Sequence, residues 1–454
     1  MKFLFTSQAS NDLGLLTRSL PIASELKKRG HEAVFCNPAR TPRMVIAEAG
    51  FENLVPRHPA YYLNHLLIAS EPDWQSFVRL VFSKRVRKDF GGWLAFLQEL
   101  ARTRPQMGSA TAEIWSADHL AALSGMLSEN FVRTECAALM QLMEAHEIDV
   151  VVDALHPAAC MAARILRKPL VAILQADMHP AAKGFIWWKE PPPNLPTPIP
   201  VLNKILAEHG HASIRKTEEL LSGDLTLVLG MPETDPLPPD AEAVYIGAVL
   251  WQKADAELPE WLSRLDRAKP VIWVYSGNPR YLPVATPVDS SVVIRSCIAA
   301  LADEDIQVVL TTGHHNLPRE FHPLPANFLH QPFAPGLTMA RRSDLLIHHG
   351  GYGSCQTGLY TGTPAVIIPT YSERESNARR VQAVGAGELI LPETDSSGRR
   401  KFVDPDVLKA TVRRVLSTPA YAENARRIGE TMQTFGGTVR AVNIIEEFCR
   451  DRRG

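Results

Sequence analysis

The sequence predicts an α/β protein built from two doubly wound, Rossmann-like halves that face each other across a cleft. The chain has 454 residues, which is more than one hydrophobic core usually serves. Short apolar strands alternate with helical patterns in both halves, as they do in parallel sheets. A proline-rich stretch at 232–239 separates the halves and predicts the domain junction.

The first half opens with a strand–helix–strand pattern. Residues 2–6 are an apolar run, and residues 20–29 carry apolar side chains at helical spacing. That helix ends at Gly30, and 31–37 return to a strand pattern. Further strands are predicted at 150–152, 169–174 and 224–229, with a helix at 158–166.

The second half repeats the same rhythm. Its strands are predicted at 271–275, 306–311, 344–347 and 365–369, and its helices at 407–417, 420–434 and 438–450. We therefore expect an N-terminal domain over 1–235 and a C-terminal domain over 236–436. Residues 437–454 are expected to form a last helix that packs back toward the N-terminal domain.

Composition excludes several classes of protein. A formal net charge of -1 and a pI near 7.0 give no global field that would attract nucleic acid. The six cysteines are scattered without a CxxC pair, which indicates small buried side chains in a reducing compartment. No apolar run reaches 18 residues, and the chain turns polar at Thr6. We expect a cytoplasmic protein without stable membrane insertion.

The strongest local signal is the run 345–354, in which an apolar strand leads through two histidines into a glycine-rich turn. Glycines let the backbone turn tightly and approach a ligand closely. A helix that begins near Ser354 would offer free N–H groups and a partial positive charge, which suit a pyrophosphate. His349 and Ser354 can add side-chain hydrogen bonds. A plain strand-to-helix turn is the alternative.

Polar side chains follow the next strand of this half. Glu373, Arg374 and Asn377 lie in a predicted loop after 365–369, beside the glycine turn. Polar groups at the carboxyl end of a parallel strand suit a sugar ring. A solvated helix N-terminus with an acidic first turn is the alternative reading.

These motifs resemble a known family. The run 349–354, the turn 362–364 and the helix start at 377–378 resemble the donor-binding motif of the UDP-glycosyltransferase superfamily, especially its bacterial branch that decorates natural products. The resemblance extends over essentially the whole chain and is strongest over 331–390. It implies a GT-B fold, with a nucleotide-sugar donor in the C-terminal domain and an acceptor in the N-terminal domain. It implies no metal and no other cofactor.

The resemblance carries over residue by residue. Phe333 matches the aromatic residue that stacks on the base, the Ala334 backbone would read the edge of that base, and Glu373 matches the acid that binds sugar hydroxyls. A core position is the alternative for Phe333. The other donor-binding residues that the resemblance implies are Gly277, Asn278, His349, Gly351, Gly353, Ser354, Thr357 and Arg374.

Three positions depart from the family pattern. Arg374 stands where the family usually has Gln, and Gly336 stands where many members have a Gln that contacts the ribose. Thr357 stands where many members have a Glu that binds both ribose hydroxyls. Because deoxyribose lacks the 2′-OH, Thr357 favours dTDP and leaves UDP open. Arg374 suits either an acidic donor sugar or the pyrophosphate.

An inverting transferase needs a base to deprotonate the acceptor hydroxyl. The family keeps a histidine for this in the first strand-to-helix loop, where this chain has Leu15. Asp12 in the same loop is the nearest replacement, since a dry pocket can raise the pKa of a carboxyl group. An Asx turn or helix cap is the alternative role for Asp12.

Two further pairs follow predicted strands of the N-terminal half. Asp153 and His156 are the other catalytic candidates, because together they offer His–Asp chemistry without a base at Leu15. Asp177 and His179, with Leu15, are expected to contact the acceptor. An acidic acceptor, such as a phenol or carboxylate, would need little help from a base.

The aromatic-rich stretch 58–97 and the run 184–188 predict an apolar acceptor pocket, with ordinary helical core as the alternative. The sequence thus predicts an inverting, metal-independent transferase of natural-product or antibiotic biosynthesis, acting on a small apolar aglycone as a monomer or homodimer. The basic run 84–88 leaves a lipid-directed transferase at the membrane surface as one alternative. The missing histidine base leaves another, a non-catalytic glycosyltransferase-like activator partner.

Overall fold

The computed structural model describes residues 1–8, 13–56, 58, 61, 74–83, 91–109, 113–251, 260–266, 268–279, 288–397 and 400–452. These residues form two parallel sheets flanked by helices, which is the GT-B arrangement predicted from the sequence. Of the predictions above, Asp12, the basic run 84–88 and part of the aromatic stretch 58–97 lie outside the described residues.

The N-terminal sheet has seven parallel strands in the order β3-β2-β1-β4-β5-β6-β7. Its central strands are buried on both faces, which explains why they read as short continuous apolar runs. The strands are β1 (Lys2–Ser7), β2 (Glu32–Cys36), β3 (Glu52–Asn53), β4 (Val150–Ala154), β5 (Leu170–Leu174), β6 (Leu225–Leu229) and β7 (Val244–Gly247).

The C-terminal sheet has six parallel strands in the order β10-β9-β8-β11-β12-β13, and a two-stranded antiparallel ribbon accompanies it. All carboxyl ends of the six strands point to the same edge, where doubly wound folds bind ligands. The strands are β8 (Val271–Tyr275), β9 (Gln307–Thr311), β10 (Phe328–Gln331), β11 (Leu345–His348), β12 (Ala365–Ile367) and β13 (Gly387–Leu389), with the ribbon strands β14 (Glu393–Thr394) and β15 (Lys401–Phe402).

Helices cover both faces of each sheet. In the N-terminal half they are α1 (Leu16–Lys28), α2 (Arg40–Glu48), α3 (Trp74–Val81), α4 (Trp93–Arg102), α5 (Ala117–Leu123), α6 (Glu129–Ala145), α7 (Pro157–Ile165), α8 (Ile199–Glu208) and α9 (Thr217–Leu221). The C-terminal half adds α10 (Val292–Leu301), α11 (Gly336–Arg341), α12 (Tyr352–Thr361), α13 (Ser372–Ala383), α14 (Pro405–Ser417), α15 (Pro419–Thr434) and α16 (Gly437–Asp451).

Alternate residues of each strand enter different cores. In β1, Leu4 packs on one face of the sheet, while Phe3 and Phe5 pack on the other. In the C-terminal sheet, the consecutive residues Ile272 and Trp273 likewise pack on opposite faces. All six cysteines are among the described residues, are buried and form no disulfide.

The domain boundary lies later than predicted. Strand β7 pairs with β6 through Val228 and Tyr245, so the N-terminal sheet continues past residue 235 to Gly247. The proline-rich stretch 232–239 is therefore a loop within this domain rather than the junction. Helix α16 packs on the N-terminal domain, where Ile445 joins the core around β1 and α1.

Candidate functional site

The glycine turn, residues 349–353, follows β11 and leads into α12. Gly350 has φ +86°, a conformation that favours glycine, and Gly351 caps the helix. Helix α12 begins at Tyr352, two residues before the predicted start at Ser354. Its first turn contains no acidic residue, so its free N–H groups and positive dipole end can receive an anion.

The His349 ring is wedged between two glycine segments. A Cβ atom on Gly277 would lie 3.0 Å from His349 Cε1, and one on Gly351 would lie 2.6 Å from His349 Nε2. The two glycines thus leave the space that the imidazole occupies. Its Nδ1 lies 3.4 Å from the carbonyl oxygen of Tyr275, which holds the ring in place at the carboxyl ends of β8 and β11.

Burial lowers the pKa of His349 well below its ordinary value, and the positive charge of Arg374 lowers it further. The ring is therefore neutral at physiological pH. Its other neighbour is His348, whose Nδ1 accepts a hydrogen bond from the backbone N–H of Gly350 at 3.1 Å. A bound diphosphate would favour a protonated His349, because its negative charge opposes the effect of Arg374.

Five neighbouring strands of the C-terminal sheet are each followed by a candidate donor-binding residue. In the sheet order β10-β9-β8-β11-β12 these residues are Phe333, His314, Gly277, His349 and Glu373. Adjacent strands are about 4.8 Å apart, so the row extends over about 19 Å. An aromatic end, a central glycine and histidine section and an acidic end thus follow one another along one edge.

Phe333 lies at the β10 end of this row and is 41% exposed, so it is not a core aromatic residue. Its ring stacks on His314, with centroids 4.3 Å apart and an interplanar angle of 15°. Ala334 beside it is buried. His314 was not among the predicted residues, although the Gly313-His314 pair comes one residue after a strand as Gly277-Asn278 does.

Glu373 and Arg374 lie in the first turn of α13, not in a loop as the sequence predicted. Asn377 lies in the middle of this helix rather than at its start. Its side-chain amide donates to the carbonyl oxygen of Gly350 at 3.0 Å and to Glu373 Oε1 at 2.8 Å. These bonds tie the acidic end of the row to the glycine turn.

Arg374 is only 5% exposed. Its guanidinium lies over the Tyr371 ring, 4.7 Å from the centroid, and donates a hydrogen bond to Thr370 Oγ1. A Cβ atom on Gly350 would lie 2.9 Å from Arg374 Cβ, so the arginine packs directly behind the glycine turn. Its charge is thus placed beside the predicted pyrophosphate position.

Thr357 and Ser354 lie on α12, the same helix as Gly353. Thr357 Oγ1 donates to the carbonyl oxygen of Gly353 at 2.8 Å, which is the usual back-bond of a helical threonine. Asn278 is half-buried directly after Gly277. Position 357 thus presents no carboxylate with which to bind two ribose hydroxyls.

A buried polar cluster joins the two domains next to the glycine turn. We call it the interdomain cluster: Asp177, Asp235, Tyr352, Ser376 and Arg380. Arg380 forms an ion pair with Asp177, and its Nη1 lies 3.2 Å from Asp235 Oδ1. Ser376 donates to Asp177 Oδ2 at 3.1 Å, and Tyr352 OH donates to Asp235 Oδ1 at 3.0 Å. The carboxylate of Asp177, predicted from the sequence to contact the acceptor, is thus bound by two residues of α13.

Asp235 is the most deeply placed acid of this cluster. Its Oδ2 accepts from Thr234 Oγ1 at 2.8 Å and from Gln356 Nε2 at 3.4 Å. Burial raises the pKa of Asp235 to about 7, although these hydrogen bonds oppose the shift. Burial also lowers the pKa of Arg380 to about 10. Asp235 could not be recognised from the sequence, because its partners Tyr352, Gln356 and Arg380 lie more than 100 positions away on α12 and α13.

Asp153 and His156 do not form a catalytic pair. Asp153 is fully buried, accepts from Thr6 Oγ1 at 2.6 Å and from the backbone N–H of His156 at 2.9 Å, and burial raises its pKa. The His156 ring caps α7, because its Nδ1 accepts from Ala159 N–H at 3.0 Å. Its Nε2 lies 3.5 Å from Glu135 Oε1. With both ring nitrogens engaged, His156 has no lone pair with which to act as a base.

Burial lowers the pKa of His156, but the hydrogen bond and charge of Glu135 and the charge of Asp153 more than offset this, so the net shift is upward. Glu135 and His156 line an apolar cavity of the N-terminal domain. Its other lining residues include Gln8, Leu120, Met126, Phe131, Leu155 and Met178. The sequence analysis missed Glu135 because it lies within the helical pattern of α6.

The other two residues predicted to contact the acceptor, Leu15 and His179, lie in different surroundings. Leu15 precedes α1, is half-buried and packs against the same core as the cavity lining. The His179 ring instead accepts from Ala181 N–H at 3.1 Å and lines a separate polar cavity with Lys216 and Asp240. It stabilises a turn, and the cavity that it lines is not the one that Glu135 lines.

Some of the aromatic residues predicted to line an acceptor pocket are buried, and others are exposed. Tyr61 and Phe96 are buried in the core, whereas Phe82 and Trp93 are exposed and pack edge-to-face with centroids 5.3 Å apart. Trp187 is exposed. Within the described residues no group of three or more metal-ligating side chains comes together, and no described helix is both long and apolar enough to cross a membrane.

Comparison with known proteins agrees with this fold. Residues 295–446 match the family model of the erythromycin biosynthesis protein CIII-like C-terminal domain. Over its full length the chain is similar to the crystal structure of the glycosyltransferase VinC in complex with dTDP, with a TM-score of 0.64, 19% identity and 100% of each chain covered. At this identity the likeness shows the GT-B fold.

Two curated relatives cover shorter segments. An uncharacterised UDP-glucosyltransferase, YojK, of Bacillus subtilis (strain 168) is 28% identical over 51% of this chain and 54% of its own length. The 4′-demethylrebeccamycin synthase of Lentzea aerocolonigenes is 33% identical over 41% of this chain and 40% of its own length. The chain thus matches about half the length of these relatives. The resemblance to GT-B glycosyltransferases, including those of antibiotic biosynthesis, is confirmed.

The glycine turn gives the first prediction. Substitution Gly351→Ala places a Cβ atom 2.6 Å from His349 Nε2, so the ring must move. We expect the free energy of unfolding in urea to fall by about 1–3 kcal/mol. Gly353→Ala is the matched control, because nothing lies within 4 Å of its Cβ atom and alanine favours a helix by up to about 1 kcal/mol. Equal stabilities of the two variants would contradict the wedged position of His349.

Asp235 gives a prediction on pH. Its pKa rises from an ordinary 3.8 to about 7 on folding, so the folded protein binds the extra proton between about pH 4 and 7. The stability that this proton contributes is present at low pH and is lost as the pH rises through about 7. We expect the melting temperature of the unaltered protein to fall relative to that of Asp235→Asn between pH 5 and 8. Parallel curves would mean that Arg380 keeps Asp235 ionised throughout.

Proposed function

We propose that this chain is an inverting glycosyltransferase that moves a sugar from a dTDP- or UDP-sugar to a small, largely apolar natural-product acceptor. The observation that carries the proposal is the row of donor residues along the C-terminal sheet. Its aromatic end suits a base, the glycine turn with His349 suits a diphosphate, and Glu373 suits sugar hydroxyls. The order base, diphosphate, sugar is the order of groups in a nucleotide-sugar.

The nucleotide is assigned from position 357. Thr357 uses its hydroxyl within α12, so it offers no pair of acceptor oxygens to a ribose. A dTDP donor loses nothing there, whereas a UDP donor lacks a partner for its 2′-OH. The similar structure of VinC is described as a complex with dTDP. We therefore propose dTDP-sugars as the preferred donors.

The proposed reaction is a displacement at the anomeric carbon. The acceptor oxygen forms the new bond to that carbon, the bond to the diphosphate oxygen breaks, and the acceptor proton passes to a base. The leaving diphosphate would be stabilised by the N–H groups of α12 and by His349. Arg374 adds a positive charge behind the turn.

The acceptor would bind in the N-terminal domain, whose apolar cavity lies beside Gln8 at the end of β1. Leu15 contributes no titratable group, and the nitrogens of His156 are engaged. Asp12 follows Gln8 by four residues in the sequence. We therefore propose Asp12 as the base.

Nucleotide binding tests the proposed function. We expect dTDP to raise the melting temperature more than UDP at equal concentration, because the proposed site should bind dTDP more tightly. A ligand at about 100 times its Kd stabilises the folded state by about 2.7 kcal/mol. Thr357→Glu should reverse this order by offering the ribose a carboxylate. If none of dTDP, UDP, dTDP-glucose and UDP-glucose stabilises the unaltered protein, the proposed function is wrong.

The base is tested by Asp12→Asn, which keeps the size of the side chain and removes its basicity. We expect turnover to fall roughly 10²- to 10⁴-fold with unchanged affinity for the nucleotide. The control is His156→Asn, because asparagine can still cap α7 and should retain most of the turnover. Turnover of Asp12→Asn equal to that of the unaltered protein would remove Asp12 from the mechanism.

A further inference from the structure

Gln175 brings the N-terminal domain into contact with the donor row. It follows β5 directly and is only 2% exposed. Its Oε1 accepts from Arg18 Nη2 at 3.1 Å, and its Nε2 lies 3.3 Å from Glu373 Oε1. Because a guanidinium can only donate, the contact with Arg18 fixes the amide with its NH₂ group toward Glu373.

The carboxylate of Glu373 is held from one side. Both of its hydrogen bonds, from Asn377 at 2.8 Å and from Gln175, fall on Oε1. Within the described part of the chain, Oε2 has no hydrogen-bond partner, and the residue is half-exposed in the cleft. A carboxylate fixed through one oxygen presents the other in a defined direction, which is what recognition of a sugar hydroxyl requires.

Arg18 is itself held in place. It is buried, and its guanidinium lies over the Tyr352 ring, 4.8 Å from the centroid. Tyr352 lies in the glycine turn and is the first residue of α12. A series of contacts therefore links Tyr352 to Arg18, Arg18 to Gln175 and Gln175 to Glu373. It connects the proposed diphosphate position and the proposed sugar position of the C-terminal domain through two residues of the N-terminal domain.

The rest of α13 keeps the two domains in register. Ser372 Oγ donates to the carbonyl oxygen of Ile114 at 2.7 Å, and Ser376 and Arg380 bind Asp177. These residues recur every four positions, so they form one face of the helix. The distance between Gln175 and Glu373 is thus set by several contacts and not by their own bond alone.

We propose that Gln175 is a positioning residue that orients Glu373 toward the donor sugar. The donor sugar is then recognised only when the N-terminal domain is docked on α13, since the C-terminal domain alone lacks one of the two amides on Oε1. This inference rests on the proposed function, because it assigns Glu373 to the sugar of a nucleotide-sugar. It adds a specificity residue that the acceptor-binding domain supplies to the donor site.

The test compares two ligands that differ by the sugar. Kd is measured by calorimetry for a nucleoside diphosphate and its glucose ester, dTDP with dTDP-glucose or UDP with UDP-glucose, whichever pair binds the unaltered protein more tightly. Gln175→Met removes both hydrogen bonds at nearly constant volume, and Gln175→Glu keeps an acceptor for Arg18 but repels Glu373. We expect either variant to weaken binding of the nucleotide-sugar roughly tenfold and to leave the nucleoside diphosphate within about twofold.

The matched control is Gln356→Met. Gln356 is also a buried glutamine at the domain contact, but it binds Asp235 and not Glu373. We expect it to leave the ratio of the two Kd values unchanged. In a double-mutant cycle, Gln175→Met should have no further effect on that ratio in a Glu373→Gln background.

The outcomes separate the two proposals. If the unaltered protein binds neither ligand, the proposed function fails. If it binds these ligands and both Gln175 variants keep the ratio of the two Kd values, the positioning role of Gln175 is wrong. An equal loss for both ligands also overturns it, because that pattern marks a general loss of domain docking.

Discussion

The buried contact of Arg380 with Asp177 and Asp235 is the constraint on which the rest of the structure depends. Removing charged groups from water costs several kcal/mol per ion, and mutual attraction repays this only if the geometry is good and the remaining polar atoms are satisfied. Here Ser376, Tyr352, Thr234 and Gln356 supply the further hydrogen bonds. Such a cluster is stable in one arrangement of the two domains and costly in any other.

The position of the donor row follows from this arrangement. Tyr352 and Ser376 belong to α12 and α13, the two helices whose first turns carry the proposed diphosphate and sugar positions. Fixing them against the N-terminal domain brings Glu373 within reach of Gln175. The glycine turn itself needs Gly277, Gly350 and Gly351, because His349 and Arg374 fill the space that side chains there would take.

Sequence alone could predict the fold and the glycine turn because both are encoded locally. Alternating apolar strands and helices appear within short windows, and the turn after β11 combines glycines with a buried strand in one run. The predicted start of α13 was too late, because the charged residues of 372–377 are typical of a loop. In the structure these residues form the first turns of the helix, with an acidic first turn and a side that faces the N-terminal domain. The predicted boundary at 235 was too early, because the proline-rich stretch lies before the last strand of the N-terminal sheet and not after it.

The interdomain contacts could not be predicted in this way. Gln175 and Glu373 are 198 positions apart, and Asp177 and Ser376 are 199 apart. Nothing near Asp177 distinguishes a carboxylate that binds an acceptor from one that binds Arg380, because both uses place an acid after a parallel strand. The same limit explains Asp153 and His156, which are close in sequence but turn to Thr6 and Glu135 in space. A diphosphate can be held by backbone N–H groups and glycines that are consecutive in the chain, whereas a base is chosen among side chains that only the packed domain brings together. The residues proposed to hold the diphosphate are therefore close together in the sequence, whereas the residues proposed to bind and activate the acceptor come from distant parts of the chain.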